Sequence, residues 1–149
     1  MVEQKSARVE EFPARFESLN PIREFVGDAA RDCGLDESSV YAVQMSVDEA
    51  CSNIIEHAFG GECQDLIQCA CQLGEDRLTV TLYDCGQPFD PSAVPEPDLE
   101  ADLQDRQTGG LGLFFMHRLM DEVRFKFVPG DGEEPGCNIL TMIKRKKPA

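Results

Sequence analysis

From Val40 to Ala58 apolar residues recur at helical spacing, and beyond Gly60-Gly61 the period drops to two. Val40, Val43, Val47, Ala50, Cys51, Ile54, Ile55 and Ala58 form one stripe, which predicts a helix from Ser38 to His57, after Asp36. Two alternating stretches follow, Leu66 to Leu73 and Leu78 to Asp84, joined by Gly74-Glu75-Asp76. Ile67, Cys69, Cys71 and Leu73 share one face of the first, and Leu78, Val80 and Leu82 one face of the second. A one-faced helix beside a one-faced hairpin implies a sheet with helices packed on one side.

The flanking segments fit that frame. Phe12, Ala14 and Phe16 alternate with Pro13, Arg15 and Glu17, a short strand whose proline marks an edge. Ile22, Phe25, Val26, Ala29, Ala30 and Cys33 predict a helix with Asn20 as N-cap, Pro21 at its first position and Gly34 as its stop. A helix over Leu113 to Met120 precedes strands at Val123–Val128 and Asn138–Lys144. The expected class is α+β, a two-layer α/β sandwich with a mostly antiparallel mixed sheet and helices on one face. The 149 residues suit one domain, placed at 12–144, with a flexible N-terminus (1–11) and a basic tail (145–149). The stretch between Gln87 and Gly110, with four prolines, many acids and little periodicity, is expected to be functional or disordered.

Charge narrows the function. With 28 acidic against 14 basic side chains the formal net charge is -14, which argues against a nucleic-acid binder, because phosphate neutralisation supplies most non-specific affinity. The surplus suits a basic protein partner or good solubility. No apolar run approaches the ~20 residues of a membrane span. Seven cysteines show neither C-x-x-C nor zinc-like spacing. With no export pattern, they lead us to expect a reducing cytoplasm.

Three features bear on chemistry. Glu49 and Asn53 are four apart and point within ~40° of each other on a helix. Their expected position is roughly opposite the Val47/Ala50/Ile54 stripe. A carboxylate beside a carboxamide suits a proton acceptor next to a ligand for a hard cation, although an exposed polar face would look the same. Asp84-Cys85-Gly86-Gln87-Pro88-Phe89-Asp90 ends a strand, where an aspartate can accept from an exocyclic amine and Gly86 lets a flat ring approach the backbone. Gly109-Gly110-Leu111-Gly112 opens a helix, leaving N–H groups free for phosphate oxygens, without the pattern of a Walker A loop or a dinucleotide fingerprint.

In combination, Val47-Asp48-Glu49-Ala50-Cys51-Ser52-Asn53-Ile54-Ile55-Glu56-His57-Ala58-Phe59, Asp84 through Pro91, and Gly109 through Val123 resemble the ATP-binding (Bergerat) fold shared by DNA gyrase, Hsp90, histidine kinases and MutL. The likeness is strongest to its smallest branch, bacterial anti-sigma factors with serine/threonine kinase activity that work by partner switching. It extends from about Phe12 to Lys144.

The resemblance implies an ATP- and Mg²⁺-dependent protein kinase that phosphorylates an anti-anti-sigma protein and sequesters a sigma factor, as a possible homodimer. A nucleotide-dependent binding module without phosphoryl transfer is the alternative. Residue by residue, Glu49 matches the general base and Asn53 the Mg²⁺ ligand. Asp84 matches the acceptor of the adenine amino group, with Gly86 beneath the ring, and His57 matches a common residue of the same helix. Gly110, Leu111 and Gly112 match the phosphate-contacting end of a lid that residues 92–108 would form. In the last strand either Asn138 or Thr141 faces adenine. Arg106 is a candidate γ-phosphate contact, and Cys85 is either a small filler or a redox-sensitive thiol.

Overall fold

A computed structural model describes residues 6–89 and 116–147. The period-two segments form five strands, β1 (Ser6–Pro13), β2 (Leu66–Leu73), β3 (Arg77–Asp84), β4 (Glu122–Val128) and β5 (Cys137–Arg145). They make one sheet in the order β1-β2-β3-β5-β4. Every described pairing is antiparallel, so among the described residues the expected mixed character is absent. β5, the last strand in sequence, lies between β3 and β4 and aligns Asp84 with Asn138.

Two helices, α1 (Leu19–Cys33) and α2 (Glu37–Asn53), cover one face. The 100° step per residue puts Ile22, Val26, Ala29 and Ala30 of α1 on its buried side, and Val40, Val43, Val47, Ala50 and Cys51 on that of α2. Both sides pack on Ile67, Cys69 and Cys71 of β2, Leu78, Val80 and Leu82 of β3, and Leu140 and Met142 of β5. Each fully buried valine, leucine or isoleucine contributes about 1.5–3 kcal/mol, so this interlayer seam is the main source of stability.

The ends have separate causes. Gly34 closes α1 at φ 97, donating to Ala30 and Arg31 carbonyls, a left-handed cap that suits glycine. Asp36 caps α2 by accepting the Ser39 N–H at 2.8 Å. That bond and the neighbouring Ser38 and Lys147 contacts hold its carboxyl well below the usual range. α1 begins at Leu19, with Ser18 at the cap position and Pro21 inside the first turn, so the start expected at Pro21 comes two residues late.

The N-terminal expectation fails for residues 6–11. They are strand, in register with β2 from Ser6↔Leu73 to Pro13↔Leu66. Only Phe12 of β1 is buried, so the segment carries no alternating signature; main-chain pairing to the open edge of β2 forms the strand regardless of side-chain polarity. Phe16 instead opens a short 3₁₀ turn, Phe16–Ser18. Residues 116–119 are helical, and the Leu119 carbonyl accepts from Lys144 Nζ at 2.6 Å. Among the described residues no helix is long and apolar enough to cross a membrane.

Candidate functional site

The site forms where α2 ends above the junction of β3 and β5. After Asn53 the helix widens into a π turn, Ile54–Ala58, closed by Phe59 N–H to the Ile54 carbonyl at 3.1 Å. Such turns are rare and recur at functional sites. A helix end leaves carbonyls without intrahelical partners; here the Ala58 carbonyl accepts the Gln87 N–H at 2.7 Å. The approach depends on Gly86. A Cβ there would lie 2.6 Å from the Ala58 oxygen and 2.9 Å from the Ala58 Cβ. The vacant side of Gly86 therefore faces the helix end, and it is this packing, rather than a ring lying on the backbone, that the structure shows to require glycine.

β3 alternates inward at Leu78, Val80, Leu82 and Asp84, so a carboxylate continues an apolar row. Asp84 is 3% exposed and Asn138, its cross-strand partner, 5%. Asp84 Oδ1 accepts from Asn138 Nδ2 at 2.8 Å and from the Gly86 N–H at 3.0 Å. Asn138 Nδ2 also reaches the Gln87 carbonyl at 2.9 Å, and its Oδ1 accepts the Phe89 N–H at 3.0 Å. One carboxamide thus ties the carboxylate to the turn beyond β3. Burial pushes the Asp84 carboxyl above its usual value, outweighing the Asn138 and Gly86 hydrogen bonds that act to lower it. Among the described residues Asp84 Oδ2 has no hydrogen-bond partner, which leaves a strong acceptor for a ligand donor.

These groups line a small cavity of about 20 Å³ that opens to solvent, bounded by Ala50, Asn53, Ile54, Asp84, Phe89, Met116, Phe125, Asn138 and Leu140. An apolar wall with a few convergent polar groups is the usual character of a ligand pocket. Asn53 is 6% exposed, and among the described residues its carboxamide makes no hydrogen bond. A nearly buried amide without protein partners, opening on a cavity, fits a ligand or cation contact. The expectation that Asn53 lies opposite the apolar stripe is corrected: it follows Ala50 by three residues and precedes Ile54, so it flanks the stripe and faces the same cavity.

Glu49, one turn earlier, is half-buried outside the cavity lining. Burial, then the nearby Asp48 and Glu56 charges, push its carboxyl up, which makes it a stronger base than an ordinary carboxylate. His57 is exposed and stacks on Phe89, with ring centroids 5.1 Å apart and planes 15° from parallel, so it supports the rim of the cavity. Thr141 is corrected. It stands three residues from Asn138, and alternation puts the two on opposite faces of β5. Of the two candidates Asn138 faces the cavity. Gly110, Leu111, Gly112, Arg106 and the 92–108 loop lie outside the described residues.

Phe89, Phe125 and Leu140 are lining residues that sequence reasoning did not single out. The signal was there for Leu140, which shares the parity of Asn138 on β5. For Phe89 it was an aromatic two residues beyond the Gly-Gln turn.

The profile of the histidine kinase-like ATPase domain matches residues 12–144. The chain is 34% identical over 138 residues to the serine-protein kinase RsbW of Halalkalibacterium halodurans, covering 89% of this chain and 78% of that protein. It is 30% identical to proteins of the same name from Bacillus licheniformis (79% and 76% covered) and Listeria monocytogenes (80% and 79% covered). A solved structure of the RsbU and RsbW domains of a Mycobacterium tuberculosis protein shares the fold at TM-score 0.63 and 16% identity, with 97% of this chain and 34% of that one aligned; this chain thus spans about a third of that two-domain chain. With a carboxamide and a buried carboxylate facing one cavity at the end of α2, the chain belongs to the histidine kinase-like ATPase domain family, in the branch of the RsbW serine-protein kinases.

Proposed function

We propose that the protein is an ATP-dependent serine/threonine kinase of the partner-switching type, phosphorylating an anti-anti-sigma antagonist and sequestering a sigma factor. The observation that carries this reading is the convergence of Asn53 and Asp84 on one cavity, with acceptors that are unused among the described residues. Among the described residues Asp84 Oδ2 has no partner and would accept from the adenine amino group, while Oδ1 is already held by Asn138 and Gly86. Kinship with the RsbW serine-protein kinases supports the reaction type.

Phosphoryl transfer asks a protein chiefly for positioning, charge neutralisation and a group that takes the proton from the attacking hydroxyl. Glu49, a helical turn before Asn53, fills the last role: its raised pKa makes it a better proton acceptor than an ordinary carboxylate. This favours transfer over the binding-module alternative. Asn53 would hold Mg²⁺, which when bound supplies charge neutralisation at the phosphates. The carboxamide oxygen suits a hard cation, and its lack of protein partners among the described residues fits that use. Gly110, Leu111 and Gly112 would surround the phosphates with backbone N–H groups. Asn138 holds Asp84 and the Gln87–Phe89 turn in place, and His57 braces Phe89.

The test is phosphoryl transfer itself. Purified protein is incubated with ATP, Mg²⁺ and a purified anti-anti-sigma protein, and phosphoserine or phosphothreonine is sought by mass spectrometry. Stoichiometric modification is expected. Its absence under conditions where ATP and Mg²⁺ raise the melting temperature would defeat the kinase assignment and leave a nucleotide-dependent binder. Partner exchange is read by pull-down of a sigma factor before and after phosphorylation, and the implied homodimer by sedimentation.

A further inference from the structure

Cys85 and Cys137 adjoin the cavity-lining residues Asp84 and Asn138 in sequence, and nothing in the proposed reaction uses them. They stand one step beyond the last pair of the β3–β5 ladder, Asp84↔Asn138. Directly opposed residues of antiparallel strands have Cα atoms about 4.5–5.5 Å apart, inside the range that a disulfide spans. The two sulfurs are 2.7 Å apart, within about 0.7 Å of the ~2.05 Å of an S–S bond, and both are free thiols. Cys85 is exposed and Cys137 half-buried, whereas Cys33, Cys51, Cys69 and Cys71 are buried. An aqueous oxidant therefore reaches this pair ahead of those four.

We propose that Cys85 and Cys137 form a redox modification site, joined by a low-molecular-weight disulfide into one cross-strand bond that fixes the Cys85–Phe89 turn against β5. The chemistry is thiol–disulfide exchange. The Cys85 thiolate attacks one sulfur of the oxidant, forming a mixed disulfide and expelling one thiolate. The Cys137 thiolate then attacks the Cys85 sulfur and expels the second. Two protein thiols are oxidised, the oxidant's S–S bond is reduced by the two electrons, and the two protons end on the two released thiols.

The resting state is reduced and slow to react. The Cys85 thiol is pushed up to about 11, first by its hydrogen bond with Cys137, then by burial and by the neighbouring charges of Cys137, Asp84 and Asp65. Exchange goes through thiolate, so the first step is slow at neutral pH, while the second is intramolecular between adjacent sulfurs. The bond acts on the site because Asn138, next to Cys137, accepts the Phe89 N–H and donates to the Gln87 carbonyl. Opening of that turn separates Cys85 from Cys137, and the crosslink forbids it. Its consequence for the nucleotide rests on the function proposed above: the rim, closed by Phe89, can no longer swing away, so ligand exchange slows.

The experiment treats the full chain with oxidised glutathione, maps peptides by mass spectrometry without reduction, and follows hydrogen exchange of the Phe89 amide in nucleotide-free protein. A single linkage joining Cys85 to Cys137 is expected, with the loss of two hydrogens, and exchange at Phe89 slower by tenfold or more until a phosphine reductant restores it. Cys85→Ser and Cys137→Ser should each abolish both effects. Stable glutathione adducts without the linkage, or linkage without slower Phe89 exchange, would overturn the proposal. Dissociation of a fluorescent ATP analogue is read separately, with a threefold or greater slowing expected on oxidation. An analogue that never binds would count against the nucleotide reading alone, because the linkage and the amide exchange are decided without it.

Discussion

Replacing Gly86 with alanine separates two roles that a glycine at this position can have. Gly86 is outside the set of described glycines with positive φ (Gly34, Gly60 and Gly61), so its backbone is open to alanine and only space is at issue. The new Cβ would lie 2.6, 2.8 and 2.9 Å from the oxygen, carbonyl carbon and Cβ of Ala58. None of these belongs to a flexible side chain. Restoring ordinary contact of about 3.4 Å moves the π turn and the end of β3 apart by roughly 0.8 Å, and overpacking of this kind costs about 1–3 kcal/mol. The same movement stretches the Gln87–Ala58 hydrogen bond, 2.7 Å long, worth about 1 kcal/mol. The sum is about 2–4 kcal/mol, or roughly 5–15 °C of melting temperature for a domain of this size. Thermal unfolding of nucleotide-free Gly86→Ala, followed by circular dichroism, measures it. A melting temperature within a degree of wild type, together with weakened ATP binding, would refute the packing argument and return the glycine to the ligand's side.

Asp84→Asn should move stability and binding in opposite directions. The nucleotide-free melting temperature rises because a desolvated carboxylate is removed, while ATP affinity measured by calorimetry falls roughly 10- to 150-fold, the equivalent of one hydrogen bond to a charged group at about 1.5–3 kcal/mol. The same group sets a pH dependence. Its carboxyl is raised by burial, so its contribution to folding is fully present below the ordinary aspartate value and is lost as pH rises through the folded-state value. ATP, whose amino group donates to the ionised form, should bind more weakly as pH falls through that same window, and Asp84→Asn should show neither trend; equal pH slopes in both proteins would remove Asp84 from the binding account. Glu49→Gln should lower phosphoryl transfer by about 10²–10⁴-fold with ATP affinity within threefold of wild type. In the wild type the transfer rate should fall as pH drops through the raised value of Glu49; a variant that keeps its rate would exclude Glu49 as the proton acceptor. Asn53→Ala should abolish the additional thermal stabilisation that Mg²⁺ gives over ATP alone, and an undiminished Mg²⁺ increment would place the cation elsewhere.

How far the sequence predicts this arrangement depends on whether each part is fixed locally. β2 is found where expected, at Leu66–Leu73, and β3 starts one residue early at Arg77, because alternation at Ile67, Cys69 and Cys71 and at Leu78, Val80 and Leu82 comes from one buried face. β1 is hidden because its pairing is main-chain only and leaves Val9 exposed. The π turn is hidden too: Ile54, Ile55 and Ala58 continue the helical stripe, and only the docking of Gln87 on Ala58 shows how the helix ends. Asn53, read as part of an exposed wedge, is buried because β3 and β5 bring Asp84 and Asn138 beneath it. The choice between Asn138 and Thr141 needed the register of β5, which fixes parity, and a three-residue separation then puts them on opposite faces. Motifs drew attention to Asn53, Asp84 and Asn138 one by one; the non-local strand pairing decided that these three line one cavity.

The strand order has a bearing on biosynthesis. β3 carries Asp84, but its neighbour on the far side is β5, made after β4. On the ribosome, a chain that has emerged only as far as Val128 holds β4 without its ladder partner and β3 with one bare edge, and it lacks the carboxamide that anchors the Gln87–Phe89 turn. The cavity that Asp84 and Asn138 share is therefore completed late, once the segment through Arg145 threads into the gap between two strands already made.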